Sequence, residues 1–109
     1  MIERVRNGWF AAPDAHPDLV RAVRVGGTAT AVTVARLDGL WVHDDGALHV
    51  RVPHSTGRLS SPDDRRVPLD RAAHRVCVHY STSGGFDRAR DPLTRALVEM
   101  LACTDDTAV

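Results

Sequence analysis

Lysine is absent from this sequence, and glutamate, cysteine and tyrosine are scarce. All 14 basic residues are arginine, and 12 of the 14 acidic residues are aspartate. This skew is typical of GC-rich coding sequences, although the arginine fork also suits phosphate and carboxylate groups better than lysine does. The formal net charge is zero. The composition therefore argues against a strongly basic nucleic-acid binder, although it is compatible with a local basic patch.

The scarcity of cysteine and of long apolar runs excludes further classes of protein. Cys77 and Cys103 are too few for a disulfide framework and are not spaced as a CxxC pair. No apolar run approaches the roughly 20 residues of a membrane span. The first nine residues are also too charged for a signal peptide. We therefore expect a reduced, cytoplasmic protein of a single domain, since 109 residues suffice for one core.

The first half of the chain predicts a hairpin and a short helix. Residues 2–11 carry alternating apolar and charged side chains and an Asn7-Gly8 turn, which is typical of a hairpin end or a short arm. Pro17 suits the first turn of a helix that Gly26-Gly27 would end. The secondary structure of residues 28–39 is left undecided between a strand and a helix. Their β-branched alternation favours a strand, whereas a threonine cap and helically spaced apolar residues favour a helix.

The second half predicts two strands and a helix. Residues 47–53 and 75–80 alternate apolar and polar side chains, as half-buried strands do, and an arginine-rich loop at 54–72 separates them. One helix should begin after Asp91-Pro92, and another at Thr104. The predicted fold class is α+β, with a small mixed or antiparallel sheet of two to three main strands and about three helices. Both chain ends look cut from a longer protein.

The apolar positions of these elements define a predicted core. Its members are Val20, Val23, Val34, Leu37, Leu40, Trp41, Leu48, Val50, Val52, Val76, Val78, Leu93, Leu97 and Leu101. The same alternation places Tyr80 inward, and it turns His49 and Arg51 outward.

Three residues that could ligate a metal lie on the outward faces of the two predicted strands. If the strands pair, His49, Cys77 and His79 could together hold zinc. Their spacing matches no compact zinc pattern, however, and the sequence indicates no fourth ligand. Exposed strand histidines are the simpler interpretation, so we predict no metal and no cofactor. Glycine-rich phosphate loops and a Gly-x-Ser-x-Gly elbow are also absent, and we predict no catalytic residue.

Arginine is concentrated between residues 51 and 75, where six arginines face three aspartates. Arg4 and Arg6 add positive charge from the N-terminal arm. Arginine can bind phosphate through two parallel hydrogen bonds, and such binding weakens as salt rises. The predicted nucleic-acid-binding residues are Arg4, Arg6, Arg51, Arg58, Arg65 and Arg66. The alternative is an ordinary solvated loop.

Short motifs in a fixed order resemble a known family. Gly8-Trp9-Phe10 resembles the end of a wing, Gly26-Gly27 follows a helix, and Asp38-Gly39-Leu40-Trp41 resembles a helix-ending step. The strand 48–53 then reads L-H-V-x-V-P. This order resembles the central part of proteins from high-GC bacteria. Those proteins join an N-terminal winged helix, a middle segment of the AbiEi antitoxin type and often an endonuclease domain of the very-short-patch-repair type.

The resemblance implies both a fold and a function. Residues 30–38 would be helical, residues 1–12 would form a wing-like arm, and 1–109 would be one AbiEi-like domain. The domain would be a non-enzymatic regulator or interaction module, as in toxin–antitoxin systems, phage defence or transcription regulation. Its partners would be a toxin, DNA or a second copy in a homodimer, and no membrane.

The alternative function is a piece of a defence-type DNA endonuclease whose catalytic domain is absent. The family's DNA-reading helix would lie before Met1, and its nuclease carboxylates would lie after Val109. No catalytic residue can therefore be assigned from the resemblance.

Overall fold

The computed structural model describes residues 3–6, 8–40, 45–82 and 84–107, with residue 3 and residues 102–107 described by backbone alone. Its elements, in chain order, are β1 Glu3–Arg6, β2 Trp9–Ala11, α1 Pro17–Val25, β3 Thr28–Ala29, α2 Ala31–Leu37, β4 Leu48–Pro53, α3 Arg71–His74, β5 Val76–Ser81 and α4 Leu93–Thr107. The predicted α+β class is confirmed. None of the described helices is long and apolar enough to cross a membrane.

The strands form two small sheets. β1 and β2 pair antiparallel with each other, so of the two predicted alternatives, a hairpin end or a short arm, a hairpin is present. The larger sheet has the order β3-β4-β5, in which β3 runs antiparallel and β5 parallel to β4. This sheet is mixed, as the sequence allowed.

Residues 28–39, for which the sequence allowed either a strand or a helix, contain a strand followed by a helix. Thr28 and Ala29 form β3, Thr30 stays extended as the residue before the helix, and α2 follows. The helix implied by the family resemblance is therefore present. The competing strand signal is also correct for the first two residues, because their backbones pair with β4.

Two helix predictions need correction. The second helix expected at Thr104 is wrong, because α4 runs unbroken through that position to Thr107. The loop predicted at 54–72 ends earlier than expected, because Arg71 begins the short helix α3. The Asp70 side chain accepts a hydrogen bond from the Ala73 amide and so caps this helix.

The main core is formed by apolar side chains of the larger sheet and of helices α1, α2 and α4. Its buried members are Ala22, Val25, Ala29, Val34, Leu48, Val50, Val52, Val76 and Ala96. A smaller cluster joins Val23 of α1 to Val5 and Ala11 of the hairpin. The core positions predicted on β4 and the start of β5 are confirmed.

Several predicted core positions are wrong. Leu40, Leu97 and Leu101 are 41%, 41% and 67% exposed, and Tyr80 is 48% exposed. The buried face of α4 is not the predicted one. Ala96 and Glu99 are buried, whereas the predicted Leu97 and Leu101 are exposed. Trp41 lies outside the described residues.

Candidate functional site

The second face of the larger sheet is polar and is nevertheless buried. The β4–β5 register pairs His49 with Cys77 and Arg51 with His79, so all four side chains lie on one face. His49, Arg51 and His79 are only 1%, 2% and 8% exposed. The prediction that these side chains point to solvent is therefore wrong. Helix α4 and the 84–92 segment that precedes it cover this face of the sheet.

The two histidines meet at the centre of this face. The Nδ1 atom of His49 lies 3.1 Å from the Nε2 atom of His79. The outer nitrogen of each ring faces a carboxylate: His49 Nε2 lies 2.9 Å from an Asp45 oxygen, and His79 Nδ1 lies 3.3 Å from a Glu99 oxygen. Each carboxylate can accept a ring N–H, and the other nitrogen of each ring then lies against the neighbouring histidine.

Cys77 completes the cluster. One ligand atom each from His49, Cys77 and His79 lies within 4.8 Å of the other two. Burial lowers the pKa of His49, but the hydrogen bond and charge of Cys77, together with the Asp45 carboxylate, outweigh burial and hold this pKa above its ordinary value. The site therefore stabilises positive charge at His49.

The cluster admits two kinds of chemistry. A thiol, an imidazole and a carboxylate in sequence can activate a nucleophile, and Cys77, His49 and Asp45 have that order. In such a triad, however, the imidazole has one acid and one thiol neighbour, whereas His49 also faces a second histidine at 3.1 Å. Two imidazoles and a sulfur that converge on one point are instead the ligand set of a transition-metal ion.

The same polar face also contains a buried ion pair. Arg51 donates from Nε and Nη2 to the two carboxylate oxygens of Asp91, both at 2.7 Å, and both residues are 2% exposed. Its Nη2 also donates to the Gly84 carbonyl, and its guanidinium lies 4.4 Å from the centre of the Phe86 ring. Arg51 is therefore not the surface phosphate ligand that the sequence predicted, because the paired guanidinium is enclosed.

Three of the other predicted arginines do share a surface. Arg4, Arg65 and Arg66 line one polar concavity of about 320 Å³, together with Val5, Arg24, Asp63 and Asp64. The loop reaches this position because it is hydrogen-bonded to the end of α1: the Ser60 amide donates to Val25, and Arg24 donates to the Pro62 carbonyl. We call this surface the arginine concavity.

The remaining predicted arginines lie elsewhere. The Arg6 guanidinium lies directly over Gly26, and Arg58 is exposed but does not line the arginine concavity. Arg24 was not predicted. It belongs to a helix 41 positions before Arg65 in the numbering of the chain, and no local pattern indicates their proximity.

The acids in the concavity weaken its charge only in part. Backbone and side-chain hydrogen bonds from Arg66 lower the pKa of Asp64, and Asp64 in turn raises the pKa of Arg66. This pair is largely in solvent, with Arg66 84% exposed, so it is a weak ion pair. Asp63 lies 3.5 Å from Arg21, which is not one of the residues that line the concavity.

Comparison with known proteins adds no assignment. No protein-family model, no curated protein and no solved structure matches this chain.

Proposed function

We propose that this chain is a non-enzymatic regulatory and interaction domain of the AbiEi antitoxin type, which contacts nucleic-acid phosphates through the arginine concavity. One observation carries the proposal. Arginines from the N-terminal hairpin, from α1 and from the 54–70 loop line a single concavity. The four guanidinium groups exceed the two carboxylates of the same surface, so its formal charge is positive although the whole chain is neutral.

The chemistry of the surface favours phosphate over other ligands. Guanidinium groups donate two parallel hydrogen bonds to phosphate oxygens, and they retain their charge at any physiological pH. The concavity offers little apolar area, since Val5 is its sole apolar member among the described lining residues and is itself 2% exposed. Such a surface provides backbone contacts without base recognition. The expected binding is therefore weak, salt-sensitive and independent of sequence.

The domain would act in the cytoplasm, as a homodimer or with a toxin as its protein partner. Helix α4 supports an interaction role, because Leu97, Val98 and Leu101 are exposed along it. A cytoplasmic location would also keep the Cys77 thiol reduced.

The test is binding of a fluorescein-labelled DNA duplex, measured by fluorescence anisotropy over a series of salt concentrations. We expect the affinity of the wild-type chain to fall as salt rises. The double variant Arg65→Ala/Arg66→Ala should bind more weakly, and its slope of log affinity against log salt should be shallower by about two, roughly one for each lost phosphate contact.

Arg88→Ala is the matched control. Arg88 is also an exposed arginine, but it belongs to the 84–92 segment and lines a different concavity. We expect its salt slope to equal that of the wild type. Equal slopes for the double variant and the wild type would refute the assignment of the arginine concavity, and absence of wild-type binding at low salt would refute phosphate contact altogether.

A further inference from the structure

We propose that His49, Cys77 and His79 form a binding site for one zinc ion, with Asp45 and Glu99 as the groups that orient the two histidines. This inference is independent of the proposed nucleic-acid contact, because none of the five residues lines the arginine concavity.

The distance between the facing ring nitrogens fits a shared metal ion. Zinc–nitrogen bonds of about 2.0–2.1 Å at a tetrahedral angle place two ligand nitrogens about 3.3 Å apart. His49 Nδ1 and His79 Nε2 are 3.1 Å apart, and one ligand atom each from His49, Cys77 and His79 lies within 4.8 Å of the other two. The rings are tilted by 48° to each other, so their nitrogens meet edge to edge without ring stacking.

The carboxylates occupy the positions that orienting groups have in known zinc sites. A zinc-bound histidine almost always donates its other ring N–H to a carboxylate, a carbonyl or water, which fixes the tautomer. Here Asp45 lies at the far nitrogen of His49, and Glu99 at the far nitrogen of His79. Glu99 is itself held by Arg95 at 3.2 Å, and Arg95 also donates to Ser81. When the far nitrogen of each histidine carries the proton, its other nitrogen is a ligand atom directed at the neighbouring histidine.

Burial restricts what can join the two ring nitrogens. They lie 3.1 Å apart in a site where the histidines are 1% and 8% exposed. At this distance and burial, either a proton or a metal ion joins the two nitrogens. A nearby sulfur and two carboxylates favour the metal, since they neutralise the charge of a divalent ion.

The ligand set also indicates the type of site. Two histidines and one cysteine leave the fourth position of a tetrahedral zinc ion open to water or to an exogenous ligand. A proposed open position distinguishes this site from closed structural sites with four protein ligands.

The test is metal binding by the purified full chain. The protein is stripped with a chelator and dialysed against Zn²⁺ or Co²⁺, and bound metal is measured by mass spectrometry. We expect one ion per wild-type chain, a thermal midpoint that rises with zinc, and a sulfur-to-cobalt charge-transfer band in the Co²⁺ form. Cys77→Ser should lose the band and bind zinc at least roughly tenfold more weakly.

Control variants separate this site from other thiols and histidines. Cys103→Ser and His54→Gln should retain one ion and the charge-transfer band, because His54 is an exposed histidine outside the cluster. Glu99→Gln keeps all three ligands and should lower zinc affinity roughly 10–100-fold. It therefore tests the orienting role even if a ligand variant fails to fold, which circular dichroism would reveal.

Two outcomes would overturn the proposal. One is a folded wild-type chain that retains no stoichiometric metal, in which case the two imidazoles share a proton instead. The other is a cobalt charge-transfer band that survives in Cys77→Ser and disappears in Cys103→Ser, which would place the metal elsewhere.

Discussion

Among single residues, Arg51 and Asp91 illustrate how a buried charge depends on its partner. The guanidinium is 2% exposed, and both oxygens of Asp91 accept from it. A buried ion pair adds little net stability, because desolvation offsets the attraction, but removal of one partner leaves an uncompensated charge. We expect Asp91→Ala to lower the free energy of unfolding by about 3–5 kcal/mol, measured by urea denaturation.

A second variant distinguishes a lost charge partner from a lost contact. Arg51→Met/Asp91→Leu replaces both charges with apolar side chains and should destabilise the domain less than Asp91→Ala does. Two results would contradict this explanation: a double variant that is less stable than Asp91→Ala, or an Asp91→Ala variant with the wild-type urea midpoint. Either would show that an uncompensated buried charge does not destabilise the domain.

Among the secondary-structure elements, the contact between the α1–β3 turn and β4 depends on Gly27. A Cβ atom on this residue would lie 2.1 Å from the carbonyl oxygen of Arg51, which belongs to the strand backbone and cannot rotate away. We expect Gly27→Ala to lower the free energy of unfolding by about 1–3 kcal/mol or more, because the turn and β4 must separate. Thermal and urea denaturation measure this loss.

Gly57→Ala is the matched control for the same substitution. No heavy atom of the described residues lies within 4 Å of a Cβ built at Gly57. Its effect should stay within about 0.5 kcal/mol, as for most surface changes. Equal effects at the two glycines would contradict the close approach at Gly27.

For the whole molecule, the exposed face of α4 bears on the oligomeric state. Leu97, Val98 and Leu101 are 41%, 56% and 67% exposed, and clustered apolar side chains of this kind often mark an interface. We expect the chain to form a homodimer that Val98→Glu/Leu101→Glu converts to a monomer, as measured by sedimentation velocity. The monomer should keep its fold, because both side chains are already in solvent in the single chain.

Thr94→Glu provides the control for added charge on this helix. Thr94 is exposed on α4 but is polar already, so the variant should remain dimeric. A wild-type chain that is monomeric at every concentration would contradict the dimer, and a dimer that survives the double substitution would place the interface elsewhere.

Local signals determined most of the elements. Pro17 and Gly26 mark the start and the end of α1. The alternation at 47–53 and 75–80 predicted β4 and β5. The order of these elements predicted an α+β fold. These predictions succeeded because caps, turns and side-chain alternation act over a few residues of sequence. The four-residue helix α3 was missed, since a single turn has too little periodicity to detect.

The tertiary structure alone decided which faces are buried and which distant residues meet. Alternation divided β4 correctly into two faces, but it could not show that α4 and the 84–92 segment cover the polar one. His49 and Arg51 were therefore predicted in solvent, although they lie in the interior. Burial and long-range proximity depend on the packing of elements that are far apart in the chain, and local sequence patterns do not predict that packing. Both the histidine–cysteine cluster and the arginine concavity arise in this way.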